Sequence, residues 1–528
     1  MTQSVESARA AGRVSLAVFL SRILGLVRDQ VFAKLFGVGL YNDAWLVAFR
    51  IPNLLRDLFA EGALSSAFVP TFTNFLHKKG KSEAWLLANL VLCWMIIILG
   101  GLTLVFLIFS EYFVYLLAAG FADSPEKLEV TSVLLKILSP FLMLIGMASV
   151  AMGILNTMNY FFLPSLAPAI FNVMVILSGF FLVPQFEEWG LVPIYAMAVG
   201  AVAGGFLQCC MQVPFLWKLG YRFQFKVRLN HEGIRKIISL LAPAVVGVGA
   251  VQLNILVNTQ IASFLQENGP VSWLSYAFRI LYLPIGLFGL AMGVVNLREV
   301  SKFAALEDWE EVKKTVANSI KLVALMSIPS MVGLIILAVP IVRVLFERGN
   351  FTSSDTQHTA YALIFYALGL FTYSCNKIYI PTFYALEDTR TPVRISLIAV
   401  ATNLIVNLIL VFAILPLEYR YVGLAFGTTL SISLSNILLM RGLRHRLGSF
   451  ERYRVPSMII KLMVAAVFMG IVVYGLDQFF HRMWQEKEFM QELVSLISCI
   501  AVGIIAYFSC CGLLRVREVS YFFQLIRR

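Results

Sequence analysis

Between Gly12 and Lys79 the sequence spells two apolar helices of membrane-spanning length with Arg22, Arg28, Asp29, Asp43, Arg50, Arg56, Asp57 and Glu61 embedded in them. A charge at bilayer depth is costly unless it faces a wet cavity, pairs with an opposite charge or snorkels to the interface. So many charges in two adjacent spans require a polar interior. Arg13, Lys34 and Asp43 fall near the ends of the spans and read as interfacial. Arg22 and Arg28 flank Gly25 inside the first span, and at about 100° per residue they stand roughly 120° apart on a straight helix. Either one faces lipid, or both address a wide cavity around a bend at Gly25. The cavity is the favoured reading.

The remainder of the chain sets what surrounds that interior. Of 528 residues 59% are hydrophobic and 14% charged, too little polarity to cover a soluble globule. The expected fold class is an all-α polytopic membrane protein. Its net charge of +12 would suit nucleic acid only if gathered on one face of a folded domain. The cations lie instead in short connections. Fourteen transmembrane helices are expected, at roughly 13–36, 41–72, 84–117, 131–157, 164–184, 190–217, 236–265, 271–297, 314–346, 358–385, 391–415, 421–441, 456–476 and 490–514. The first reads as retained rather than as a cleaved signal. Several exceed the approximately 20 residues a crossing needs, which predicts tilt or a break, and Pro52 supplies a break in the second.

The connections orient the spans. HKKGK at 77–81, the run from Lys218 to Lys236, the connection from Arg298 to Lys314 and RGLRHRLGSFERYR at 441–454 are basic, and they alternate with FADSPEK at 121–127, PQFEEWG at 184–190 and QENGP at 266–270. The basic set belongs in the cytoplasm, and with an even number of spans both termini lie there. Arg515, Arg517, Arg527 and Arg528 in the tail agree, and so placed they would also attract anionic lipid.

An internal repeat is visible. Trp45 with Ala48-Phe49-Arg50-Ile51 returns as Trp273 with Ala277-Phe278-Arg279-Ile280, and Pro164 returns as Pro392. The shared offset implies two six-span lobes in parallel, with two helices appended. The expected domains are residues 1–217, 218–447 and 448–528. Two lobes with a polar seam suggest alternating access, with Arg22, Arg28, Asp29 and Arg56 from one lobe and Arg279 from the other. An excess of cations there favours an anionic substrate, since guanidinium forks match phosphate oxygens. The alternative is an internal ion-pair network with Asp29, Asp57 and Glu61 as counter-charges. Lys377, deep in the tenth span, meets substrate, joins that network or snorkels.

Chemistry by bond breaking has little support. No metal-hydrolase, phosphate-loop or nucleophile-elbow motif is present, and no long soluble stretch could house one. His77, His231, His358, His445 and His481 are scattered, which suits exposure or loop packing. All seven cysteines sit in apolar segments without metal or disulfide spacing and read as small buried hydrophobes. Glycines and prolines have structural readings first: Gly37 and Gly39 as the turn between spans one and two, and Gly289 and Gly293 as points of close approach or bending.

The segments SRILGLVRDQVFAKLFG at 21–37, NDAWLVAFRIPNLLRDLFAEGALSSAFVP at 42–70, GILNTMNYFFLPSLAP at 153–168 and DTRTPV at 388–393 resemble the MurJ (MviN) family of the MOP transporter superfamily. The resemblance runs through both lobes to the last span. It implies a MOP/MATE-like two-lobe fold with two additional C-terminal helices and a flippase, not an enzyme, in the bacterial inner membrane. The substrate implied is lipid II, the undecaprenyl-diphosphate-linked peptidoglycan precursor. Arg22, Arg28 and Arg56 match family arginines of the central cavity, Asp43 and Glu61 match positions regarded as important, and Arg279 falls on the cavity arginine of the eighth span. Many relatives carry acidic residues immediately before and three residues after that arginine, where this chain has Phe278 and Tyr282, so no acidic coupling role is carried over there. Asp388 matches an acidic position tied to sodium in part of the family, but it also suits capping of the eleventh span or pairing with Arg390. Coupling to sodium or to membrane potential stays open. Bilayer lipids and cell-wall synthesis proteins are the further partners implied, and no cofactor is.

Overall fold

The computed structural model describes residues 2–56, 63–228, 230–265, 268–484, 488–516 and 518–519, and all regular structure among them is helical. Ten helices or near-continuous helical runs among the described residues are long and apolar enough to cross a membrane, and eleven if a pair bent by 47° at 367–370 counts as one span. The other three expected spans are the first, second and seventh. The first and seventh are single helices of 35 and 32 residues, while the described parts of the second are helices of 9, 7 and 16 residues.

By internal contacts the chain divides into two compact units, residues 1–271 with 348–351, and residues 272–347 with 352–528. The division falls after the seventh expected span, whereas the repeat places a lobe boundary at 217.

The first unit contains α1 (Thr2–Phe36), α2 (Leu40–Ala48), α3 (Arg50–Arg56), α4 (Ala63–Lys78), α5 (Lys81–Leu117), α6 (Pro125–Thr157), α7 (Phe162–Glu188), α8 (Ile194–Cys210), α9 (Val213–Lys218) and α10 (Glu232–Ser263). Gly37, at φ +59°, turns the chain from α1 into α2. A side chain there would meet the carbonyl of Asn350, whose own N–H donates to the Lys34 carbonyl at 3.0 Å, so the turn needs glycine both for its backbone angle and for space. α2 stops at Ala48 and α3 starts at Arg50. Pro52 has no N–H to offer the Ala48 carbonyl, and the expected break falls at that missing bond. Phe68, Phe72 and Phe75 of α4, Leu87, Leu90 and Val91 of α5, Ile154 of α6 and Ile234 and Ile237 of α10 form its main core. Lipid is as apolar as these residues, so the core contributes chiefly through close packing rather than through escape from water.

The second unit begins within α11 (Pro270–Pro284), which passes into a π-helical turn over Ile285–Leu290 and on into α12 (Ala291–Ala305). It continues through α13 (Trp309–Ile336), α14 (Ala338–Phe346), α15 (Ser353–Ala367), α16 (Leu370–Ala385), α17 (Arg390–Ile409) and α18 (Arg420–Leu447), with α19 (Val455–Met483) and α20 (Phe489–Leu513) at the end. The two appended helices pack within the second unit: Leu462, Ala466, Met469 and Val473 of α19 and Cys499 and Tyr507 of α20 share a core with Ala324 and Ile328 of α13. The Tyr507 hydroxyl donates to the Leu325 carbonyl at 2.9 Å. All seven cysteines are free thiols, and five of them are buried.

Candidate functional site

In the first unit the polar interior is built where α1 meets α7. The Arg28 guanidinium donates to Asp29 Oδ1 through Nε at 3.2 Å and Nη2 at 3.0 Å, and to Asn172 Oδ1 through Nη1 at 3.1 Å. Its carbon lies 5.8 Å from the centre of the Phe171 ring. Asn172 in turn donates to the Ser21 carbonyl at 3.1 Å. The Arg28 side chain is 15% exposed, so a fork oriented by a carboxylate and an amide still reaches an accessible surface. Such a fork suits a phosphate or carboxylate oxygen.

α1 runs as one helix from Thr2 to Phe36, without a break at Gly25. An unbroken helix turns Arg28 toward α7 and leaves Arg22 exposed. Arg56 closes α3 and is half-buried, and Arg50 at the start of α3 donates to Thr259 Oγ1 at 3.4 Å. Asp57 and Glu61 lie outside the described residues.

Asp43, read as interfacial, is instead fully buried within the protein. Its Oδ2 accepts from Lys127 Nζ and from the Gly269 N–H, each at 2.9 Å. Lys127 is 2% exposed, also donates to Asn268 Oδ1 at 3.3 Å and lies 4.3 Å from the centre of the Phe121 ring. An acid in the first turn of α2 complements that helix's dipole, whereas an ammonium in the first turn of α6 opposes its own. The burial of Lys127 therefore depends on Asp43. Sequence reasoning missed Lys127 because it ends a loop read only for its acidity.

In the second unit Arg279 is exposed on α11. Phe278 turns its edge to Tyr366 and Tyr373, at 5.4 and 6.1 Å between ring centres, and Tyr282 follows at 6.3 Å. Phe278 and Tyr282 thus belong to an aromatic cluster with Tyr366 and Tyr373. Lys377 is one turn beyond Tyr373 on α16 and half-buried. Its backbone carbonyl would lie 2.3 Å from a side chain at Gly293, so close approach rather than bending is what glycine provides there. Asp388 caps α17: it accepts from the Arg390 and Thr391 N–H groups at 3.1 and 3.0 Å and from the Thr391 hydroxyl at 2.6 Å. Its ion-pair partner is Arg446 at 2.9 Å. Burial works against its ionisation, but the Thr391 hydroxyl and N–H, Arg446 and the Arg390 N–H outweigh it and hold the carboxyl below its usual range.

A second cluster escaped the sequence reading. Trp273 Nε1 donates to Asp355 Oδ1 at 3.2 Å, His358 stacks on the Trp273 ring at 4.3 Å, and His358 Nδ1 shares a hydrogen bond of 2.9 Å with the Tyr421 hydroxyl. His358 is therefore packed between helices rather than in a loop. No group of three or more His, Cys, Asp or Glu side chains placed to hold a metal occurs among the described residues.

The family profile described as "Lipid II flippase MurJ" matches residues 32–495. A probable lipid II flippase MurJ of Vibrio cholerae is 36% identical over 525 residues, covering 96% of this chain and 95% of its own. The lipid II flippase MurJ of Burkholderia cenocepacia is 31% identical, covering 97% and 98%. Among solved structures, "Lipid II flippase MurJ, inward closed conformation" superposes with a TM-score of 0.78 at 28% identity over 96% of this chain and 99% of that one. An inward-facing multidrug transporter of the MATE family, at 14% identity and TM-score 0.69 over 84% of this chain and 99% of its own, shares the fold of the MOP superfamily. With a profile spanning most of its length and relatives above 30% identity end to end, this chain belongs to the MurJ family of lipid II flippases.

Proposed function

We propose that the protein moves lipid II across the bacterial inner membrane, from the cytoplasmic to the periplasmic leaflet, by alternating access and without bond breaking. The observation that carries this reading, beside family membership, is the Arg28 fork: oriented by Asp29 and Asn172 and still partly accessible, it suits a diphosphate oxygen. Arg22, Arg56 and Arg279 are the further proposed substrate ligands. Asp29, Asp43, Glu61, Lys377 and Asp388 are the proposed coupling or cavity network, with sodium and membrane potential as the two candidate couplings. Fourteen spans, cytoplasmic termini, lobes at 1–217 and 218–447 and an appendix at 448–528 complete the proposal. Cell-wall synthesis proteins are its proposed protein partners.

Purified protein in liposomes should redistribute lipid II between leaflets while leaving its mass unchanged. A cleaved or glycosylated product that depends on the protein would favour a membrane enzyme, and movement of unrelated drugs without lipid II would favour an exporter. Labels at Glu188 and Asn268 that react only from the cytoplasm would reverse the orientation.

A further inference from the structure

Three polar side chains of α16 are satisfied within the protein. Ser374 donates to the Leu370 carbonyl at 2.9 Å, and Thr382 donates to the Ile378 carbonyl at 2.8 Å. Asn376 donates to Ser435 Oγ at 3.4 Å and accepts from Asn436 Nδ2 at 3.1 Å. Tyr373 and Lys377, interleaved with them, are different. The Tyr373 hydroxyl is buried without a hydrogen-bond partner among the described residues. Lys377 makes no hydrogen bond, ion pair or ring contact among them, and no carboxylate there lies near enough to act on its ammonium. An ammonium offers three donors and no acceptor. Inside a membrane protein, a cation without a counter-charge is the mark of a place where one is supplied.

The two side chains stand four residues apart on one face of α16. That face meets α11 and the π-helical turn that follows it. The Phe278 ring lies 6.1 Å from that of Tyr373. A side chain at Gly289, within the turn, would come 3.4 Å from Lys377 Cγ and 3.2 Å from Ser374 Cα, and one at Gly293 would come 2.3 Å from the Lys377 carbonyl. Glycine at both places lets backbone pack on the Lys377 stem, which fixes it inside the unit rather than leaving it to run outward along lipid. The residue stays half-buried, so a ligand has a way in. A sodium ion would be repelled by the ammonium. An anionic oxygen is what both groups lack.

We propose that Tyr373 and Lys377 form an anion-binding subsite in the second unit, where hydroxyl and ammonium donate to a phosphate or carboxylate group of the transported lipid. The proposal rests on the transport reading and gives Lys377 a defined part in it, as a ligand for the negative charge of the cargo rather than as a link in cation coupling. The fold holds an uncompensated ammonium until the anion arrives with the missing counter-charge.

The test uses the full chain in nanodiscs, as wild type, Lys377→Met and Tyr373→Phe. Each variant keeps the length or ring of its side chain and deletes a donor that has no partner in the ligand-free protein, so the melting temperature should hold or rise. A fall, or a variant that fails to fold, would reveal an internal partner and overturn the subsite. Retention of lipid II and of undecaprenyl diphosphate is compared with that of undecaprenol, which carries no charge. Lys377→Met should weaken binding of anionic lipid about tenfold or more, and Tyr373→Phe about fivefold, with undecaprenol unaffected. Loss for both anionic lipids identifies the diphosphate as the ligand, and loss for lipid II alone identifies a carboxylate of its peptide. Wild-type affinity in both variants overturns the subsite, as does an equal loss for undecaprenol. Flipping is read separately: a wild type that binds through Lys377 yet moves no lipid II breaks the transport reading while the subsite stands, and variants that bind normally break the subsite alone.

Discussion

The two copies of the repeated Trp…Ala-Phe-Arg-Ile segment carry nearly the same letters and are built differently. In the first, Trp45 stacks on Phe49 at 5.2 Å, the helix breaks at Phe49, and Arg50 starts a new helix. In the second, one extra residue separates the tryptophan from the Ala-Phe pair, α11 continues past Arg279, and winding changes only at Ile285, after Pro284. The position of the proline accounts for the difference, since Pro52 follows Ile51 directly and Pro284 comes a full turn later. The anchors differ as well. Asp43 holds the first copy through a buried ion pair, whereas Val271 stands 228 residues beyond it, and the second copy is held through Trp273, Asp355, His358 and Tyr421. One repeat thus depends on paired charge and the other on aromatic stacking with neutral and charge-assisted hydrogen bonds.

The ion-pair anchor should be the more fragile under single substitution. Lys127→Met removes the ammonium from a buried carboxylate and should cost about 3–5 kcal/mol, seen as a large loss of melting temperature and of monodisperse extraction. Asp43→Asn combined with Lys127→Met should recover much of it. A double variant no better than the single would show that Asp43 does not depend on Lys127. At the other anchor, Trp273→Phe keeps the stack on His358 and deletes one bond to a carboxylate, for about 1.5–3 kcal/mol. A loss equal to that of Lys127→Met would erase the contrast.

Arginine chemistry should bring the two units together in function, through Arg28 in the first and Arg279 in the second. Arg28→Ala should lower lipid II flipping about tenfold or more at unchanged abundance, with Arg28→Lys rescuing only in part because the planar fork is gone. Arg279→Ala should act in the same direction. Wild-type flipping by both folded alanine variants would remove these arginines from substrate binding.

Backbone approach gives a smaller effect. Gly293→Ala sets a methyl against the Lys377 carbonyl and should destabilise by about 1–3 kcal/mol, whereas Gly39→Ala, with nothing near its missing side chain, should cost far less. Thermal melting of the two variants would decide it. The smallest effect is at the α17 cap. Because the Asp388 carboxyl is lowered on folding, its contribution is complete above the unfolded value of about 3.9 and fades as pH falls through the folded value. Asp388→Asn, which keeps a capping oxygen and loses the charge that pairs with Arg446, should therefore cost about 0.2–1 kcal/mol near neutrality, and the gap from wild type should close in acid. A gap that widened in acid would contradict the cap.

The sequence by itself determined the class of protein and the break before Pro52, because hydropathy and the missing proline N–H are local properties. It also determined that a polar interior exists, since charges in apolar helices admit few alternatives. Only the tertiary structure decided which partner each charge takes. Lys127 meets Asp43 across 84 residues and Asn172 meets Arg28 across 144, and no periodicity encodes such pairings. The same holds for residues 221–228. Their alternation of polar and apolar residues is written in the letters, but it becomes two faces of a strand only because Asn89 and Cys93 hold the backbone extended along α5.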